Sequence, residues 1–234
     1  ISDDGTIGVD PVIQNTRDWT VSFWMNKSGT TQGDVWAIGS SNGMQCFVYN
    51  TKWIIQCHGA AGFAHSYFDV LGTSQWLHVV VVFKGVDSDG DTWYLDADAT
   101  SESTKGLSFY INGQKATKGS GNTSTTNSFD GSTSFAWFTR LDPAWQNCIG
   151  KFDNFAIFNH RKSAAQILAM YNEGHGTNLA TDANCVSLLR ADDMTTALVA
   201  DSTVITNSST ASAASDYIAT WVDGASGTLT VTEY

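Results

Sequence analysis

Glutamate, proline and basic residues are scarce in this chain of 234 residues. It has 3 Glu beside 20 Asp, only 2 Pro, and 12 Lys and Arg in total, so its net charge is −11. A nucleic-acid partner is not expected, because phosphate neutralisation needs clustered cations. The same shortage argues against binding to an anionic membrane surface.

Long apolar runs are also missing. The longest, Leu77 to Phe83, contains a histidine and is far shorter than the roughly 20 residues that a membrane-spanning helix needs. We therefore expect no membrane insertion. Nine Trp and a charged fraction of 15% argue against disorder. The composition favours an all-β fold, because Glu and Lys are rare while Thr, Val, Ser and aromatic residues are frequent.

Short strand-like segments separated by turn residues follow one another along the chain. They alternate polar with apolar residues or are rich in β-branched and aromatic side chains. They span 19–25, 35–38, 44–49, 53–57, 64–70, 76–83, 107–111, 134–139, 148–158, 186–189, 217–222 and 228–232. The segment 76–83 is so apolar that both of its faces must be covered. His78 within it is most simply a core or edge histidine whose hydrogen bonds are satisfied.

One helix is expected among these strands. It begins with a capping box from Ser163 to Gln166 and ends near Gly174. The long polar segments 87–106, 116–134 and 200–216 read as loops, and strand patterns resume after each of them. We predict a single domain over 1–234: an all-β, antiparallel two-sheet sandwich of jelly-roll type with one short accessory helix near 163–173.

Cys46 and Cys57 flank a predicted hairpin. A turn centred on Thr51 and Lys52 would place the two cysteines opposite each other, and a disulfide there would add about 2–3 kcal/mol. The alternative is two thiols in a half-buried sheet. None of the four cysteines has the spacing of a zinc site.

Five segments in a fixed order resemble the laminin-G-like, concanavalin A-like lectin/glucanase superfamily. They are 18–24, 76–83, 107–113, 149–158 and 163–171. The resemblance implies a jelly roll that recognises glycan or protein, often with bound calcium. It also implies an extracellular, cell-surface or viral-particle setting, and the Ile1 start is compatible with a piece of a larger polypeptide or assembly. Cys185–Asp193 looks like the strand that usually opens such domains, which indicates either an altered strand order or the start of a further unit.

An acidic loop is the strongest metal-binding signal. Asp87, Asp89 and Asp91 alternate around Gly90, and Asp98 follows. Calcium takes six to eight oxygen ligands, which such a loop supplies, so calcium is the cofactor that these residues would bind. The alternative is a solvated acidic loop.

Asp153 is a separate metal-ligand candidate. Family resemblance places it where related domains carry a structural calcium ligand, and the alternative is a carboxylate that caps a turn. Two polar loops also offer aromatic side chains on which sugar rings stack: Trp93 and Tyr94 follow the acidic loop, and Trp145 follows Asp142. Each aromatic residue has core packing as its alternative.

Enzymatic alternatives are weaker. The superfamily's glycosidases resemble one another in carrying clustered Glu residues on one strand, whereas Glu102, Glu173 and Glu233 lie far apart in this sequence. A polysaccharide lyase remains an alternative, because Gln56 and His58 alternate on one strand while His65 and Tyr67 follow nearby. The alternative for these residues is a polar sheet face.

We therefore predict a module without catalytic residues that binds a glycan or glycoprotein, with calcium assistance. A domain that mediates structural or adhesive protein contacts is the second hypothesis, and a polysaccharide lyase is the third.

Overall fold

The structure of the protein is a computed structural model, and it describes fourteen stretches of the chain. These are 17–27, 33–38, 44–49, 52–59, 62–69, 75–85, 93–95, 106–117, 125–126, 135–137, 150–174, 179–190, 203–205 and 219–221. Within them, no helix is long and apolar enough to cross a membrane.

Fifteen strands and one α-helix lie in these stretches. The strands are β1 (Trp19–Lys27), β2 (Gly33–Ile38), β3 (Met44–Tyr49), β4 (Lys52–Gly59), β5 (Gly62–Asp69), β6 (Trp76–Lys84), β7 (Trp93–Leu95), β8 (Gly106–Ile111), β9 (Gln114–Lys115), β10 (Thr125–Thr126), β11 (Phe135–Trp137), β12 (Gly150–Phe158), β13 (Cys185–Leu189), β14 (Thr203–Ile205) and β15 (Ala219–Trp221). The helix α1 spans Ala164–Glu173, and a short 3₁₀ turn spans Leu179–Thr181.

The larger sheet has eight strands in the order β10-β7-β8-β6-β1-β12-β13, with β9 paired to β8. Its pairs are antiparallel except for the short pair β7 and β8, which is parallel. Strand β13 pairs with β12, so the segment that begins at Cys185 belongs to this sheet.

The second sheet has five antiparallel strands in the order β11-β2-β3-β4-β5. Strands β14 and β15 form a separate two-stranded sheet, so the expected loop at 200–216 contains a strand at 203–205. The predicted strand at 228–232 lies outside the described residues.

A single apolar cluster lies between the two large sheets. It joins side chains of β1, β6, β8, β12 and β13 to side chains of β2, β3 and β4. Trp53 of the five-stranded sheet bridges the layers, with ring centroids 5.9 Å from both Phe23 and Phe109. Phe23 also stacks on Phe155 at 5.0 Å. Each such aromatic pair contributes about 0.5–1.5 kcal/mol beyond area burial, so this layer holds the sandwich together. The predicted all-β sandwich is confirmed.

Helix α1 has the predicted ends. Ser163 Oγ accepts a hydrogen bond from the Gln166 backbone N–H at 3.3 Å, and Gln166 Oε1 accepts one from the Ser163 N–H at 2.8 Å. Gly174 follows the last helical residue with a φ of 83°. The helix is ten residues long, too short to be stable alone in water, so its packing must sustain it.

The outer face of the eight-stranded sheet supplies that packing. Ile167 packs with Val80, Val82 and Tyr110, while Met170 joins a second cluster over β12 and β13. Strand β6 is therefore covered on both faces, as its composition predicts.

The Asn112-Gly113 hairpin turn lies beneath the helix. Both residues have positive φ, 51° and 76°, as a type I′ turn requires. A Cβ on Gly113 would lie 2.9 Å from Leu168 Cδ1 and 3.3 Å from Tyr171 Cβ. Gly113 therefore serves both the turn and the close approach of α1.

Candidate functional site

Most of the residues predicted to bind calcium or sugar lie outside the described part of the chain. They are Asp87, Asp89, Asp91, Asp98, Asp142 and Trp145. The calcium loop and the second sugar-binding loop therefore stay predictions.

Trp93 and Tyr94 are described, but they do not lie in a loop. They open β7, where Tyr94 pairs with Gly106 of β8 and with Thr125 of β10. The loop expectation was wrong because Trp, Tyr and Leu have high strand propensity and β8 offers them a sheet edge to pair with. Whether they contact sugar stays a prediction.

Asp153 lies at an irregularity of β12. The register with β1 shifts between Ser22 and Trp24, and Asn154 at this point has a φ of 46°. Asp153 is buried, and its Oδ1 accepts a hydrogen bond from the Asn154 N–H at 2.8 Å. Whether Asp153 binds a metal stays a prediction. Among the described residues no three His, Cys, Asp or Glu side chains lie together as a metal site would require.

The predicted pairing of Cys46 with Cys57 was wrong in register. Tyr49 pairs with Lys52, so the connection is two residues long and the register places Cys46 opposite Ile55. Cys57 lies opposite Met44. Cys46 is a buried thiol.

Polar residues occupy one register row on the outer face of the five-stranded sheet. Gln45 of β3 pairs with Gln56 of β4, and Gln56 pairs with His65 of β5. We call these three positions the amide row. The neighbouring row pairs Phe47 with Ile54. The register therefore brings together two of the residues considered for lyase chemistry, Gln56 and His65.

Gln45 is the member of the amide row that sequence reasoning missed. Its side chain is 1% exposed, and neither Oε1 nor Nε2 has a hydrogen-bond partner in the described part of the chain. A buried polar group without a partner costs about 1–3 kcal/mol. The signal for it was the alternation of β3, which places Gln45 and Tyr49 on the face opposite Cys46 and Val48.

Exposure on this face rises along β3 from Gln45 to Tyr49, and within the amide row it rises from Gln45 to Gln56. Gln56 and Lys52 are half-buried, and Tyr49 at the end of β3 is 42% exposed. Tyr67 and His58 pair with Ile54 and Phe63. The outer face of the five-stranded sheet thus combines hydrogen-bonding and aromatic positions.

Helix α1 covers the outer face of the eight-stranded sheet. His78 is buried there, with Nε2 2.9 Å from Ser22 Oγ and a ring centroid 5.0 Å from that of Trp24. Tyr171 of α1 stacks on Trp24 at 5.9 Å and lies 6.3 Å from His78. These three rings, here called the ring stack, join the sheet to the helix.

His78 differs from the expected satisfied histidine in one respect. Its Nδ1 is buried and has no hydrogen-bond partner among the described residues. Burial lowers the pKa of His78 from 6.5 to about 4, because the imidazolium would lose its hydration. The residue is therefore neutral at physiological pH.

Two ion pairs fix the segment between β12 and α1. Arg161 Nε donates to Asp18 Oδ2 at 2.7 Å, and Asp18 Oδ1 accepts from the Gly85 N–H at 2.9 Å. Lys162 is buried, donates from Nζ to Asp182, and has Nζ 4.2 Å from the Phe158 ring centroid. These contacts hold the start of the helix at the edge of the sheet.

Comparisons with known proteins agree with this architecture. A family model described as the concanavalin A-like lectin/glucanases superfamily matches residues 2–168. No curated protein matches the chain.

Among solved structures, a protein of Bacteroides ovatus proposed to bind carbohydrate is 14% identical, with a TM-score of 0.55. The similarity covers 89% of this chain and 52% of that one, so the chain spans about half the length of this relative. The receptor binding domain of botulinum neurotoxin D is 14% identical with a TM-score of 0.48, covering 72% of this chain and 40% of that one. At such identity, the likeness to the Bacteroides protein shows the fold.

Proposed function

Because the chain belongs to the concanavalin A-like lectin/glucanase superfamily, we propose that it is a non-catalytic glycan-binding module and that the amide row marks its sugar-binding face. The observation that carries the proposal is the register of Gln45, Gln56 and His65 across three neighbouring strands. Glutamine and histidine are residue types that both donate and accept hydrogen bonds, which suits the hydroxyl groups of a sugar.

Gln56 is half-buried, so it is the residue of the amide row that we expect a ligand to contact. Gln45 stands beside it in the sheet and is too deeply buried to touch a ligand directly. Exposed Tyr49 adds an aromatic side chain at the hairpin end of the same face. An amide next to an aromatic ring is a pairing that suits sugars, which present polar hydroxyls and apolar C–H groups together.

Calcium assistance belongs to the same proposal. Asp87, Asp89 and Asp91 supply carboxylates at alternate positions, which is a donor set that calcium prefers. With glycan or glycoprotein as partner, we place the module outside the cell or on its surface.

A glycan array tests the proposal. The wild-type protein is applied with calcium and with chelator, beside the variants Gln56→Ala and Gln114→Ala. Gln114 is the matched control, since it is an exposed glutamine on β9 of the other sheet. We expect Gln56→Ala to lose at least about tenfold in affinity, equivalent to about 1.4 kcal/mol, while Gln114→Ala binds normally. Absence of glycan binding in every arm would contradict the proposal.

A polysaccharide lyase is the second candidate, and the pairing of Gln56 with His65 favours it. His65 would abstract the proton and Tyr67, two residues along β5, would protonate the leaving group, because an amide such as Gln56 can do neither. Incubation with alginate separates the candidates: unsaturated product that disappears in His65→Ala would favour the lyase. Binding without product would favour the module.

A further inference from the structure

We propose that helix α1 is an acid-released cover of the outer face of the eight-stranded sheet, and that His78 is the group that releases it. The proposal rests on how the ring stack joins the sheet to the helix. Trp24 and His78 come from neighbouring strands, directly opposite each other in the register, and Tyr171 comes from α1. A change at His78 is therefore transmitted to the helix through ring contacts.

Among the described residues, the groups in contact with His78 include no carboxylate that would pair with a positive charge. Strand β1 contributes Ser22 and Trp24, the hairpin turn contributes Asn112, and α1 contributes Tyr171. None of these four side chains is a carboxylate.

The hydrogen bonds around His78 also disfavour its protonated form. An imidazolium has two N–H donors. Ser22 Oγ can accept from Nε2, but Nδ1 is buried without a partner among the described residues. Asn112 Oδ1 is already engaged, because it accepts from the His78 backbone N–H at 2.9 Å. Protonation therefore requires that the ring reach water.

Helix α1 is the element that can move to admit water. Two of its residues, Ile167 and Met170, are buried, and ten residues are too few for an independent helix. The sandwich core lies on the other side of the sheet and does not include α1. Lifting the helix would expose the ring stack while leaving the layer around Phe23 and Trp53 intact.

The difference between the two pKa values of His78 sets how strongly acid favours release of the helix. The pKa of His78 is about 4 when covered and close to 6.5 when exposed. The open form then gains protons as pH falls below 6.5. Between pH 7 and pH 5 the ratio of open to covered helix should rise about 20-fold.

Hydrogen exchange followed by mass spectrometry at several pH values tests this, after correction for the intrinsic pH dependence of exchange. We expect amides of Ala164–Glu173 to lose about 20-fold in protection by pH 5, while amides of β1 and β6 keep theirs. In His78→Gln, which retains a hydrogen-bonding amide, the acid-dependent loss should disappear. His78→Phe keeps a ring in the stack and gives the same reading if the first variant does not fold.

His160→Gln is the matched control. It removes another histidine whose pKa burial and Lys162 lower, but one that faces Phe158 and not the ring stack. Acid release of α1 should persist in this variant. The proposal is overturned if helix and core strands lose protection together in the wild type, or if the folded His78 variants still release the helix in acid.

Discussion

The two outward faces of the sandwich differ in the chemistry of the side chains they present. On the eight-stranded sheet, β6 presents His78, Val80 and Val82, all buried beneath or beside α1. On the five-stranded sheet, β4 presents Lys52, Ile54 and Gln56, of which only Ile54 is fully buried. On the eight-stranded sheet the apolar outward residues pack against a helix. On the five-stranded sheet the polar outward residues Lys52 and Gln56 provide hydrogen-bonding groups for a ligand. We infer that the first face serves stability and the second serves recognition.

The largest expected effect comes from weakening the contact between α1 and the eight-stranded sheet. Ile167→Ala removes the contact of α1 with Val80, Val82 and Tyr110, so we expect a loss of about 3 kcal/mol in the free energy of unfolding. Leu168→Ala changes the next residue, which is 39% exposed, and should cost less than about 1 kcal/mol. Urea unfolding of both variants gives the comparison. Equal losses would mean that the helix does not depend on its buried side.

A second prediction concerns the turn beneath the helix. Gly113→Ala adds a Cβ 2.9 Å from Leu168 Cδ1 at a φ of 76°, so strain and overpacking should cost about 2 kcal/mol. Gly174→Ala has a similar φ of 83° but meets no atom within 4 Å, and fraying of the last turn can relieve its strain. Thermal unfolding should show the smaller loss for Gly174→Ala. The reverse order would contradict a close approach at Gly113.

The third prediction concerns the outer face of the five-stranded sheet. Gln45→Leu replaces a buried amide without hydrogen-bond partners, in the described part of the chain, by an apolar group of similar size. We expect the free energy of unfolding to rise by about 1 kcal/mol. Gln56→Leu, at the half-buried neighbour, should bring no such gain. Denaturant titration measures both, and a loss of stability in Gln45→Leu would show that its amide is satisfied.

The smallest expected effect concerns the free energy of unfolding in acid, which should fall in two pH ranges, here called the upper and the lower limb. Burial would raise the pKa of Asp182, but hydrogen bonds from Lys162 and from the Asn184 N–H lower it below 3.8. Because the folded pKa is depressed, this stability is present above pH 3.8 and lost as pH falls further. The contribution of neutral His78 to the free energy of unfolding is lost at higher pH, between pH 6.5 and about pH 4. Asp182→Asn should therefore flatten the lower limb when the free energy of unfolding is measured across pH, and a His160→Gln background removes the electrostatic coupling of Asp182 to His160. Loss of the upper limb on adding Asp182→Asn in that background would refute the separation.

Local signals in the sequence predicted much of this architecture. The alternation in β1, the apolar run of β6 and the capping box at Ser163 each depend on residues close together in the chain. Such patterns report the period of an element and its ends directly. The covered face could therefore be anticipated, because β6 needed a partner on both sides.

Register and pairing were harder to predict. Moving the hairpin centre by one residue changes the partner of Cys46 from Cys57 to Ile55, and the sequence alone allows either turn. Strand β7 exists because β8 lies beside Tyr94 and Leu95, which is a contact between residues distant in sequence. The burial of Gln45 likewise depends on residues distant in sequence. The amide row could be found only after three strands had been aligned.

The central position of β1 affects how the protein is made. Strand β1 lies between β6 and β12, and Thr20 Oγ1 donates to the carbonyl of His160, 140 residues further along. At about 5–20 residues per second, the ribosome delivers that partner roughly 7–28 s after Thr20. During this interval the β12-facing edge of β1 is unpaired on the nascent chain. Pairing of both edges of β1 therefore waits for β12, and chaperone demand should be greatest just before that strand emerges.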